Sequence, residues 1–101
     1  MIQVIASISY DPTKSDALRE VLEWVVPLVL AEKGCHKYLP AVDCPMDLSA
    51  QEMDSGVFTM VEEWDDEACL RAHLAAPHMD EFRAKIKGIV SGATLKVLKD
   101  F

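Results

Sequence analysis

The stretch FTMVEEWDDEACLRAHLAAPHMDEF, Phe58 to Phe82, reads as strand, turn, short helix, proline break and second helix. Phe58, Met60, Glu62 and Trp64 alternate with Thr59, Val61 and Glu63, and a strand sends alternate side chains to opposite faces. Glu62 therefore shares a face with an aromatic residue on either side, a carboxylate among apolar neighbours. Asp65 or Asp66 can cap a helix whose stripe Leu70, His73, Leu74 has helical spacing. Pro77 forbids its continuation and opens the next helix at its first position, so His73 and His78 flank a helix-helix corner.

Working outward, Ile2, Val4, Ala6 and Ile8 form the apolar face of a first strand whose second face is mixed. Asp11-Pro12-Thr13 stops it, and Thr13 or Ser15 can cap a helix with the stripe Leu18, Val21, Leu22, Val25, Val29. Pro27 falls inside that helix and Lys33-Gly34 closes it. Cys35 to Val42 reads as a second strand, with Pro40 pointing to an edge or a bulge. Residues 43–56, DCPMDLSAQEMDSG, are polar, acidic and aperiodic, a loop longer than a hairpin needs. Phe82, Ile86, Ile89 and Val90 predict the stripe of the helix from Pro77, closed at Ser91-Gly92 before a last strand, Ala93 to Leu98.

The resulting order β-α-β-β-α-β predicts one α+β domain over residues 1–101, a ferredoxin-like antiparallel four-stranded sheet with helices on one face. Apolar residues on both strand faces, and a half-hydrophobic composition, predict a homodimer through the uncovered sheet face.

The strand with its Glu62, then Trp64-Asp65-Asp66-Glu67-Ala68, then Ala72-His73-Leu74, then Pro77-His78 and Phe82, resembles the antibiotic biosynthesis monooxygenase family. Glu32, Gly34, Cys35 and Tyr38 resemble that family's helix-to-strand junction. The resemblance spans nearly the whole chain and implies a dimeric α/β-barrel. It also implies cofactor-independent oxygenation of a small electron-rich cyclic compound such as a quinol or polyphenol. The superfamily also holds isomerases of small oxo or cyclic substrates and haem degraders. This chain has no Asn, so the haem-contacting Asn-Trp-His trio of the haem-degrading branch cannot be assembled.

Charge and cysteine usage narrow the rest. A net charge of −7 lacks the basic face that phosphate neutralisation requires, which argues against nucleic acid as a partner. Three cysteines, Cys35, Cys44 and Cys69, form no ligand motif and no closed disulfide framework, which favours a reducing, cytoplasmic location. The N-terminus alternates like a strand instead of forming a signal, and the apolar run Trp24 to Ala31 is too short to span a bilayer.

No dinucleotide, phosphate-loop or HExxH motif is present, and His36, His73 and His78 show no metal-ligand spacing on one element, so neither cofactor nor metal is expected. A metal site could arise only through tertiary convergence. The chemistry left is acid-base: Glu62 desolvated on an apolar face, with His73 or His78 exchanging protons near neutral pH. Tyr38, Phe58, Trp64 and Phe82 would wall the substrate cavity. Structural alternatives stand beside each role: Glu62 bonding a backbone N–H or a cation, His73 packing between helices, His78 capping a helix or contacting a partner. A cavity reached by none of these groups would instead point to a non-catalytic small-molecule-binding dimer.

Overall fold

A computed structural model describes all 101 residues. In chain order the elements are β1 (Ile2–Tyr10), α1 (Ser15–Leu30), β2 (Cys35–Ala41), β3 (Val57–Trp64), α2 (Glu67–Leu74), α3 (Pro77–Lys85) and β4 (Val90–Leu98). The strands form one sheet in the order β2-β3-β1-β4, every neighbour antiparallel. This is the expected ferredoxin-like arrangement with its second helix split at Pro77.

The central pair β1 and β3 sets the core. Ile2 lies opposite Trp64, Val4 opposite Glu62, Ala6 opposite Met60 and Ile8 opposite Phe58. Apart from the half-buried Ile8, all of these side chains are buried beneath the helices, joined by Leu18, Val25 and Val29 from α1 and Met79 and Phe82 from α3. Burying each large apolar side chain contributes roughly 1.5–3 kcal/mol, so this single layer dominates the stability of the fold. On the opposite face Leu39, Val61 and Ile5 stand side by side across three strands, with Lys96 completing the row.

Local chemistry departs from the sequence expectation in three places. The Asp11 carboxylate accepts from the Thr13 N–H (3.0 Å) and hydroxyl (2.7 Å), capping a single 3-10 turn over Pro12–Lys14 that leads into α1, so neither Thr13 nor Ser15 caps the helix itself. Helix α3 stops at Lys85 rather than running to Val90: the chain reverses through Gly88 at φ 86°, and Val90 already belongs to β4. Leu74 is exposed, outside the buried Leu70–His73 stripe. Pro40 lies in edge strand β2, as its sequence predicts, and that strand's register irregularity falls between Cys35 and Lys37. Elsewhere the expectation holds: Asp66 accepts from the Cys69 N–H at 2.9 Å to cap α2, and Pro27 lies inside α1. No helix is long and apolar enough to cross a membrane.

Candidate active site

The site grows from β3. Glu62 is only 6% exposed and sits between Val4 of β1 and Tyr38 of β2 in the sheet register. One carboxylate oxygen accepts the Trp64 indole N–H at 3.0 Å, two residues along the same strand face. Burial pushes the Glu62 carboxyl up to about 7; the indole bond opposes this, and the Glu32 carboxylate adds to it. Neither a backbone N–H nor a cation holds Glu62, so the structural alternative takes the form of an indole bond.

His73, in the last turn of α2, is 2% exposed and lies tilted against Trp64, with ring centroids 4.6 Å apart, and edge-on to Tyr38 at 5.5 Å. Burial lowers its pKa against the raising effect of Glu32, which keeps the ring neutral at pH 7. Tyr38 is shifted upward, first by burial and then by the Glu62 and Glu32 carboxyls, so it stays a phenol.

Glu32 is the junction that reading the strand and helix alone leaves out. Its Oε2 lies 2.8 Å from His73 Nδ1 and 2.8 Å from His78 Nε2, so one oxygen joins a buried histidine to one that is 23% exposed. The carboxylate is set by the turn that follows α1, where the Glu32 N–H donates to the Val29 carbonyl (2.9 Å) and its carbonyl accepts from the Cys35 N–H (3.2 Å). Its two partners are 41 and 46 residues away in the chain. His36 lies apart from them, exposed and paired with Asp65.

A cleft of about 530 Å³ opens at the other end of β3, between α1 and the sheet. Leu18, Leu22, Val26, Tyr10, Phe58 and Pro40 give it apolar walls, with Arg19 and Glu23 also lining it. Of the four expected wall residues only Phe58 lines this cleft; Tyr38 and Trp64 pack against His73, and Phe82 lies in the core. Phe58 and Glu62 are four residues apart on one strand face, about 13 Å at strand rise. The structure thus brings Glu62, His73, Trp64 and Tyr38 together and ties in His78 through Glu32, while the cleft lies at the far end of the same strand.

Residues 1–85 match the sequence profile of the family described as antibiotic biosynthesis monooxygenase. The chain belongs to that family. Among relatives of this monooxygenase-family chain, an Escherichia coli K12 protein named "Probable quinol monooxygenase YgiN" is 38% identical over 101 residues, covering 98% of this chain and 97% of that one. The crystal structure of PA3566 from Pseudomonas aeruginosa superposes with a TM-score of 0.79 at 27% identity, over 99% of this chain and 93% of that one. A conserved protein from Methanosarcina mazei Go1 reaches 0.84 at 21% identity, over 99% and 92% of the two chains, a likeness of fold alone.

Proposed function

We propose that this family member is a monooxygenase that oxidises a small electron-rich cyclic compound of the quinol type and works as a homodimer joined through its open sheet face. One observation carries the reading: a buried carboxyl, Glu62, pushed up to about 7 and packed in one cluster with a neutral histidine, in a chain 38% identical to a relative named for quinol oxidation. A base with a pKa near the working pH combines a useful ionised fraction with proton affinity.

In the proposed reaction Glu62 removes a phenolic proton, and the phenolate gives up electrons to dioxygen more readily than the phenol. One oxygen atom goes to a ring carbon and the other leaves as water, so quinol and dioxygen yield hydroxyquinone and water, the quinol supplying all four electrons. His73, oriented by Glu32, exchanges protons with the reacting centre, and His78 links that pair to solvent. The ring enters through the cleft beside Phe58. Met60, an unbranched and adaptable side chain, separates that cleft from Glu62 on the strand.

Oxygen uptake over a panel of quinols and polyphenols tests this. Glu62→Gln should lower kcat roughly 10²- to 10⁴-fold, and Leu22→Trp, which fills the cleft, should raise KM or abolish turnover. Wild-type rates in both variants would refute the reading. A second reading, a non-catalytic small-molecule-binding dimer, is favoured by the absence of Glu62, His73 and His78 from the cleft lining. Ligand binding without oxygen consumption across the panel would support it.

A further inference from the structure

The helix corner brings together what no single element spaces: Glu32 from the turn after α1, His73 from α2 and His78 from α3. Each offers one ligand atom, and the three atoms lie within 4.8 Å of one another. We propose that Glu32, His73 and His78 form a binding site for a divalent transition-metal ion of the class that prefers imidazole and carboxylate ligands.

The donor set carries this. Two imidazoles and one glutamate are a recognised three-ligand zinc set, which leaves a further position for water. At zinc bond lengths of 2.0–2.2 Å, tetrahedral ligands stand about 3.3 Å apart. Both nitrogens are now 2.8 Å from Glu32 Oε2 and all three atoms lie within 4.8 Å of one another, so an ion requires each N–O contact to open by about half an ångström and the two nitrogens to settle at the same spacing. It would sit between the two ring nitrogens and the carboxylate oxygen, each coordinating nitrogen then carrying no proton. His78, partly exposed, supplies the path of entry, while buried His73 is fixed against Trp64 and Tyr38.

Local charge is compatible with a cation. The Glu32 carboxylate stands between the rings, and His73 lies in the last turn of α2, the negative end of the helix dipole. Arg83, whose charge also acts on His73, is engaged elsewhere, donating to Asp80 (3.0 Å) and to the Leu74 carbonyl (2.8 Å). The ion would occupy the same Glu32, His73 and His78 atoms that link His73 to solvent in the proposed reaction, whereas Glu62 and the cleft take no part in binding it.

Calorimetric titration of the metal-free protein with Zn²⁺, and with Co²⁺ followed by visible absorption, tests it. The expected result is one ion per chain, with cobalt ligand-field bands and no thiolate charge-transfer band. His78→Ala and Glu32→Gln should each weaken binding at least about tenfold, while Cys44→Ser leaves it unchanged. His78 is partly exposed, so its alanine variant should fold; circular dichroism checks this, and Glu32→Gln, which keeps the side-chain shape, provides the second variant. Absence of saturable binding, a thiolate band, or wild-type affinity in both ligand variants would overturn the proposal.

Discussion

The indole N–H of Trp64 donates to the carboxylate of Glu62 at 3.0 Å, so the residue that anchors the core also fixes the orientation of the buried acid. That relationship makes Glu62 separable by mutation. Glutamine retains an oxygen for the indole N–H and nearly the same volume, so Glu62→Gln should keep the fold and lose only the ionisation.

The sign of the pH effect follows. Glu62 has its pKa raised from 4.5 to about 7 on folding, so the folded state holds the proton more tightly. Its contribution to stability is fully present below about pH 4.5 and is lost as pH rises through 7. Wild-type melting temperature should therefore decline between pH 5 and pH 8 more steeply than that of Glu62→Gln, and at pH 8 the variant should be at least as stable. Parallel curves across this range would show that the buried acid is not titrating as described.

The two histidines should differ in structural weight. His73→Ala empties a buried space against Trp64 and Tyr38 and leaves Glu32 with one partner fewer; truncating a buried ring of this kind typically costs about 3–5 kcal/mol, of which the smaller imidazole should show the lower half. His78→Ala, at a partly exposed position, should cost about 1 kcal/mol or less. Urea denaturation of both variants measures the difference, and equal losses would contradict the burial contrast.

Much of this site could be read from neighbours in the chain. The alternation from Phe58 to Trp64 put Glu62 on the apolar face, and Asp66 and Pro77 marked the helix starts, because strand period and capping chemistry act over a few residues. Glu32 carried no such signal beyond its place in the family's helix-to-strand junction. Its role depends on the turn after α1 meeting a helix corner more than forty residues later, a relation set by packing. The premature end of α3 has the same origin: Ile89 is buried by a turn through Gly88, and its apolar character extends the helical pattern past the true stop. Which wall residues line open space also escaped the pattern, since Trp64 and Phe58 are both buried on the inward face, yet only Phe58 also bounds the cleft.

Gly34 should be the least replaceable glycine. It sits at φ 77°, and a Cβ there would lie 2.5 Å from Cys69 Sγ and 3.0 Å from its Cβ, so Gly34→Ala combines backbone strain with a clash at the junction that positions Glu32. Gly88 has a similar φ of 86° but open space around it. Gly88→Ala should cost about 1 kcal/mol, and Gly34→Ala clearly more, with a weakened contact between Glu32 and the histidines. Equilibrium unfolding of the pair checks the order, and equal costs would mean that the Cys69 side chain yields freely.

Association should occur through β-sheet surface that the helices leave open. Leu39, Val61 and Ile5 form an apolar row on the uncovered face, and Leu95 and Val97 of β4 remain 58% and 54% exposed although they flank Ala6 and Val4, whose side chains are buried. Edge strand β4 is exposed on both faces for almost its whole length, an arrangement that a single chain leaves open to pairing. A second copy covering the open face would remove Leu39, Val61 and Ile5 from water at about 25 cal/mol per Å² of apolar area. The expected state at micromolar concentration is therefore a homodimer by sedimentation equilibrium. Val61→Lys and Leu39→Glu, both on the open face, would place charges in the contact and should shift the protein toward monomer without changing its circular dichroism. A wild-type protein that sediments as a folded monomer, or variants that remain dimeric, would place the contact elsewhere or remove it.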